Sequence, residues 1–350
     1  MVMLLVVSCH QATVEQANDP AVEQTALDGA VACRMIQHDV GETEVCGKPQ
    51  KIAVLGSHIL DLLLSLGHQP AGYAAPVDLL GLDRYDQPAM QIPYLGDRIT
   101  TQPVNIAAGS YREPNLERLT VLKPDLIIGE AGGGGEQAYN LLSQIAPTLL
   151  WEGRTAQGKW QQTIRTLALA LGDKESADKA IATYEKLLTD AKQEFADVAA
   201  EHPQILLLVT NNLQDTIALI AQNTYLSKLL TEIGFELVTL PSDLPVNAPI
   251  SVEALPDFDQ ADTIIILTYN LDIEDLSAAT DEKATEIVEM HQAKAARQSW
   301  ADNAIAQSLT ASKAGRVHFA TYYLWNGLNG PIGTELILEQ MGDFLLSDSS

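Results

Sequence analysis

Apolar and polar positions along this chain follow two different periods, and the order in which they alternate occurs twice. "KIAVLGS" (Lys51 to Ser57) is a short apolar run of the buried-strand type. "HILDLLLSLG" after it reads as a helix ending at Gly67, and "HQPAGYA" as a short strand. From Gln204 the order returns, with strand "QILLLVTNN", helix "YLSKLLTEIG" ending at Gly234, and strand "FELVTL". Strands alternating with helices predict parallel sheets built from α/β units. Each half then reaches a related phrase, "PNLERLTVLKPDLII" (Pro114 to Ile128) and "ISVEALPDFDQADTIII" (Ile250 to Ile266). In each, a small polar residue (Asn115, Ser251) precedes an apolar residue and a glutamate (Glu117, Glu253), with Leu two residues later. A buried-type strand begins after Asp125 or Asp262. One lobe plan is therefore used twice.

Between the halves, apolar residues recur at helical spacing on both sides of Gly172-Asp173, and Pro203 closes the run. The stretch from Glu175 to Ala200 predicts one long helix. At ~25 residues it would span ~37 Å, which suits a rigid rod joining two lobes and only modest opening and closing. "PIGTELILEQMGDFLL" predicts a C-terminal amphipathic helix packed back on a lobe. Ahead of the first lobe, "RMIQHDVGETEV" alternates, turns near His38 to Gly41 and alternates again, as a hairpin does. Cys33 and Cys46 flank it at matching ends, close enough to bridge in an oxidising compartment; two buried free thiols are the alternative.

The fold class is thus α/β, with two lobes, each a mostly parallel sheet flanked by helices, joined by a long rigid helix. The expected segments are a leader over 1–9, a polar tether over 10–30, an N-terminal lobe over 31–156 and a linking helical region over 157–202. A C-terminal lobe over 203–330 and a helix and tail over 331–350 complete the chain.

Composition narrows the partners. With 21 Lys and Arg against 46 Asp and Glu, the formal charge of the 350 residues is −25. So acidic a surface repels phosphate backbones and anionic lipid, which argues against nucleic acid as a partner. No apolar run approaches the ~20 residues that span a bilayer. The start, "MVMLLVVSC", ends in Val6-Val7-Ser8-Cys9, which resembles the lipobox of bacterial lipoproteins. That resemblance implies lipidation of Cys9 and membrane attachment through the anchor alone. The stretch lacks Lys and Arg and is shorter than the usual leader, and a chance cysteine is the alternative. The polar, aperiodic "HQATVEQANDPAVEQTALDG" fits a tether.

Seven phrases in a fixed order carry a more specific resemblance: "HDVGETEV…KPQKIAVL", "LLLSLGHQPAGY", "REPNLERLTVLKPDLIIG", "LLSQIAPTLL", "YLSKLLTEIGFELV", "ISVEAL" and "ASKAGRVHFATYYLWNGLNGPIG". Over about residues 31–346 the chain resembles the bilobed substrate-binding proteins of ABC importers that have a helical backbone. The hairpin and "SQIAPT" resemble the iron(III)-siderophore branch most. The resemblance implies a periplasmic, monomeric protein that captures a ferric siderophore between its lobes and delivers it to a two-fold permease. The same role for cobalamin, haem or another metal complex is the alternative. It also implies that Glu117 and Glu253 dock onto arginines of the two permease subunits, where bidentate pairs orient as well as attract. By themselves, both glutamates also suit the second position of a helix, where the dipole favours a carboxylate.

A ligand of such lobes belongs at the strand ends. The loops facing that crevice hold Ser57-His58, Tyr73, Tyr111 and Arg112 in "GSYREP", and "GEAGGGGEQ". Thr210 to Asn212, Tyr269-Asn270 and "TYYLWNG" from Thr321 face it from the other side. A siderophore fills the coordination shell of its own iron, so recognition rests on stacking, hydrogen bonds and one or two arginines. The expected ligand-binding residues are Tyr111, Arg112, Tyr269, Tyr322, Tyr323 and Trp325, with no protein-bound metal and no cofactor. Arg84, Arg98 and Arg154 are not visibly clustered, which favours a neutral or weakly charged hydroxamate complex over ferric dicitrate.

Direct iron ligation by Tyr322-Tyr323 lacks further ligands. A zinc or manganese site would draw on His58 and His318, and two histidines are too few. "GEAGGGGEQ" lacks the Gly-Lys-Ser/Thr end of a phosphate loop, and no hydrolase or dinucleotide motif is present, so the chain is not expected to be an enzyme.

Overall fold

The computed structural model describes residues 32–74, 87–110, 113–131, 135–152, 159–220, 222, 224–239, 249–269 and 283–346. The described chain enters on a hairpin, β1 (Cys33–His38) and β2 (Gly41–Cys46), in which Cys33 lies opposite Cys46 and the two form a disulfide. Lobe 1 follows as β3 (Ile52–Leu55), α1 (Ser57–Ser65), β4 (Gly72–Ala74), the short α2 (Pro88–Gln91) and β5 (Val104–Asn105). A small pair, β6 (Ala107–Ser110) and β7 (Glu113–Pro114), leads into α3 (Leu116–Leu122), β8 (Leu126–Ala131), α4 (Gly135–Leu142) and β9 (Thr148–Glu152). Its sheet is parallel throughout, in the order β5-β4-β3-β8-β9. β3 is buried at all its positions, as a strand covered on both faces must be.

Three helices join the lobes: α5 (Trp160–Leu171), α6 (Lys174–Glu194) and α7 (Ala196–Glu201). The expected single helix from Glu175 to Ala200 is interrupted at Phe195. This fully buried residue turns its ring onto Phe235, with centroids 6.1 Å apart, and burying that ring takes precedence over helical continuity. The guanidinium of Arg34 donates to the carbonyls of Leu169 (2.7 Å) and Ala170 (2.6 Å), capping the end of α5 and fastening the hairpin to it.

Lobe 2 runs β10 (Gln204–Val209), β11 (Ile217–Leu219), α8 (Tyr225–Glu232), β12 (Glu236–Leu237) and β13 (Pro249–Ile250). After a 3-10 helix over Val252–Phe258 come β14 (Thr263–Thr268), α9 (Ala284–Asp302), α10 (Ala304–Ser308) and α11 (Thr310–Lys313). β15 (Val317–Thr321), α12 (Tyr322–Gly327) and α13 (Pro331–Leu345) end the described chain. Its parallel strands stand in the order β12-β10-β14-β15, which repeats β4-β3-β8-β9 of lobe 1, while β11 and β13 extend one edge in antiparallel sense.

The repeated aspartates account for the repeated phrase. The Asp125 carboxylate accepts from the backbone N–H of Gln50 and Lys51, both at 2.8 Å, and so pins the start of β3 to the start of β8. Asp262 does the same for β10 and β14, accepting from the Gln204 N–H at 2.9 Å.

From Cys33 onward the chain is one compact unit. One apolar cluster runs from Ile52 and Leu63 in lobe 1, through Ile164 and Phe195, to Ile205, Trp325 and Ile337. The C-terminal helix packs on α1 and α6 rather than on lobe 2 alone.

Candidate functional site

The site begins where β3 turns into α1. Gly56 takes φ 105°, a conformation that suits only glycine there, and its side chain cannot cap the helix. The cap comes from the neighbouring strand, where Glu130 at the end of β8 accepts the His58 N–H at 3.1 Å. The His58 ring is fully buried with neither nitrogen hydrogen-bonded, and burial lowers its pKa to about 4. It is a neutral packing group at physiological pH. His318 stacks on Phe344, centroids 4.7 Å apart. Among the described residues, the one cluster with metal-ligand spacing is Cys33, Glu44 and Cys46, whose sulfurs are bonded to each other.

On lobe 2, β14 and β15 are paired so that Thr268 faces Thr321, and the residue after each is a tyrosine. Tyr269 and Tyr322 therefore emerge side by side and meet edge to face, with centroids 6.2 Å apart. Tyr269 is 56% exposed, which for a large apolar ring marks a surface available to a ligand. "TNN" holds this corner in place. Asn211 accepts the Tyr269 N–H at 2.8 Å, and Asn212 accepts from the Ser299 hydroxyl at 2.9 Å.

The two lobes touch directly beneath the pair. The Ser57 hydroxyl lies 2.6 Å from the Tyr323 hydroxyl and 3.2 Å from that of Tyr73. Tyr94, from the segment between β4 and β5, stacks on Tyr323 at 6.0 Å, and its hydroxyl lies 2.7 Å from that of Thr321. Burial pushes the Tyr323 phenol up to about 12 and that of Tyr94 well above its usual value, so both stay protonated near neutral pH. As neutral phenols bonded to each lobe, they build a wall rather than offer phenolates to a bare ion.

The expected site residues thus divide. Tyr269, Tyr322 and Tyr323 are brought together at the strand ends. Tyr111 and Arg112 lie outside the described residues, as do Cys9, Arg84 and Arg154. Trp325 is corrected: it is fully buried in the apolar cluster, its indole N–H donating to Gln340 on α13 at 2.6 Å. The helix that returns over α12 covers it. Arg98 is bound to Glu335 at 2.9 Å. Glu117 and Glu253 are exposed at the second position of equivalent elements, preceding β8 and β14. Their local chemistry differs between the lobes. Asn115 caps α3 by accepting the Arg118 N–H at 2.9 Å, whereas Ser251 caps nothing with its side chain. A hydrogen bond from Ser251 instead stabilises the Glu253 carboxylate and lowers its pKa.

Two residues escape a reading of the sequence. Tyr94 is separated from Tyr323 by 229 positions, and Glu130 lies in a glycine-rich phrase. A lone tyrosine in "IPYLGD" carries no periodic or motif signal.

A family model described as "Periplasmic binding protein" matches residues 52–322, more than half of the chain. The chain belongs to this family. Among relatives of this binding protein, "Fe(3+)-citrate-binding protein YfmC" of Bacillus subtilis is 27% identical over 300 residues, covering 85% of this chain and 81% of the relative. "Probable siderophore-binding lipoprotein YfiY" of the same organism is 25% identical over 321 residues, covering 89% and 88%. In fold, this binding protein is similar to Staphylococcus aureus SirA, solved with staphyloferrin B. The TM-score is 0.64 at 22% identity, over 89% of this chain and 98% of that one. No helix among the described residues is long and apolar enough to cross a membrane.

Proposed function

We propose that this protein is the ligand-binding component of a bacterial ABC importer and that it captures a ferric siderophore between its lobes. The observation that carries the reading is the edge-to-face pair of Tyr269 and Tyr322, set at adjacent strand ends above the contact between the lobes. A flat, exposed aromatic corner suits an organic chelate that supplies its own iron ligands. The names of YfmC and YfiY, relatives of matching length, support an iron chelate as the cargo. Glu130 acts on Tyr323 and Glu289 on Tyr94, and carboxylates so near these tyrosines favour a neutral trihydroxamate over a polyanionic citrate complex. Tyr111 and Arg112 are part of this proposal as further ligand-binding residues. No chemistry is performed on the cargo. Glu117 and Glu253, at equivalent positions on the two lobes, dock onto the two permease subunits. Lipidation of Cys9 holds the protein to the membrane outside the cytoplasm, where the Cys33–Cys46 disulfide is stable.

The test is titration of intrinsic fluorescence with ferric trihydroxamate, ferric tricatecholate and ferric dicitrate, with cobalamin and haem as controls. Saturable quenching by an iron chelate, absent with its metal-free form, is expected. Binding of cobalamin or haem alone discards the siderophore and keeps the importer.

A further inference from the structure

Lobe 1 sends one segment across to lobe 2. Residues 88–99 leave the lobe 1 sheet after β4 and make polar contacts with the other side. The Tyr94 N–H donates to the Thr285 hydroxyl at 2.7 Å, and Lys283 donates to both oxygens of Asp97 at 2.9 Å. The Tyr94 hydroxyl meets that of Thr321 at 2.7 Å. Tyr94 holds φ 64°, a backbone state uncommon outside glycine, so the surrounding contacts must hold it there.

The last contact matters because of where Thr321 stands. It is the N-cap of α12, and its hydroxyl oxygen accepts the Leu324 N–H at 3.3 Å. That oxygen can therefore direct its own proton outward, to Tyr94. The Glu289 carboxyl on α9 lies near the Tyr94 hydroxyl and raises its pKa further. The result is a chain of two hydrogen bonds, from the Leu324 N–H to the Thr321 hydroxyl and between the hydroxyls of Thr321 and Tyr94. Its first link fixes the opening turn of α12, and that turn consists of Tyr322 and Tyr323. The ring of Tyr94, stacked on Tyr323, fixes the same turn from the side.

From this geometry we infer that Tyr94 is a positioning residue of the binding site: reaching over from lobe 1, it sets the orientation in which lobe 2 presents Tyr322 and Tyr323 to the ligand. The inference rests on the proposed function for its ligand. Its structural content can be tested without one.

The experiment uses fluorotyrosine-labelled full chain, with the resonances of Tyr322 and Tyr323 assigned by Tyr322→Phe and Tyr323→Phe. In ligand-free protein, Tyr94→Phe keeps the stacked ring and breaks the chain of hydroxyls, so both resonances are expected to shift and broaden. Thr321→Val should have the same effect, the double variant no more than either single one, and Thr321→Ser should restore the wild-type spectrum. Unchanged resonances in Tyr94→Phe, or strictly additive effects of the two substitutions, overturn the inference. Affinity is then measured with the iron chelate that the wild type binds. Tyr94→Phe and Thr321→Val are each expected to weaken it about tenfold, as loss of one orienting hydrogen bond does. The melting temperature of the ligand-free protein should move little. If the wild type binds no iron chelate, the siderophore reading fails while the spectra still decide the role of Tyr94. A fall in melting temperature that accounts for the whole loss of affinity counts against the inference.

Discussion

Two aromatic residues three positions apart illustrate how differently neighbouring side chains are used. Tyr322 begins α12 and faces Tyr269, whereas Trp325, three residues on, lies sealed in the core. Tyr269→Ala removes an exposed ring, so chelate affinity is expected to drop with the urea midpoint unchanged. Trp325→Ala should do the reverse, costing about 3–5 kcal/mol of stability through the cavity it leaves. The two measurements are fluorescence titration and equilibrium unfolding of both variants. A Trp325→Ala protein of wild-type stability and weakened affinity would return Trp325 to the crevice. The aromatic cluster "TYYLWNG" was legible in the sequence as a concentration of rings. Which rings face the crevice was not, because that depends on the helix that folds back over them and on Gln340, fifteen positions away.

Among the elements, α13 has the most unusual anchor. Asp61, buried in the middle of α1, accepts the N–H of Ile332 at 3.1 Å and of Gly333 at 2.8 Å, capping a helix 270 residues later. A Cβ on Gly330 would lie 2.7 Å from that carboxylate, so "GPIG" is a cradle shaped for it. Burial raises the Asp61 pKa from 3.8 to about 6, against the opposing effect of the N–H donors. The native state therefore holds a proton between about pH 4 and 6 that the unfolded chain has released. The contribution of Asp61 to stability is accordingly greatest below that window and is lost as pH rises through it, on the order of 2–3 kcal/mol. Asp61→Asn, which cannot ionise, is expected to flatten this part of the stability–pH curve. Urea unfolding at pH 4.5 and 7 measures it, and an identical pH slope in wild type and variant refutes the assignment. The repeated strand–helix–strand order and both glutamate-bearing elements were legible from periodicity. The interruption at Phe195 was not, since nothing local distinguishes a phenylalanine that continues a helix from one whose burial ends it.

Considered as a whole molecule, the two lobes share one core and are bridged beneath the crevice by Ser57–Tyr323, Tyr94–Thr321 and Asp97–Lys283. Each of these contacts must break if the lobes separate. Glu117 and Glu253 occupy equivalent places on two lobes whose parallel strands share one order, as docking onto a two-fold permease requires. Glu117→Ala and Glu253→Ala are expected to leave chelate affinity intact while uptake of radiolabelled iron into cells falls, and the double variant to fall further. Weakened chelate binding in either variant removes that glutamate from the docking role. Because both side chains are exposed, neither substitution should move the melting temperature.

The sequence by itself determined the α/β class, the doubled lobe, the connecting helices and the hairpin with its matched cysteines. All of these follow from local periodicity, turn chemistry and spacing, which a chain carries before it folds. Tertiary structure alone decided that Tyr94 lies against Tyr323, that Asp61 caps α13 and that Trp325 is core. Each of those depends on which distant segments share a neighbourhood, and a buried carboxylate or tyrosine acquires its role only from the partners that burial brings to it.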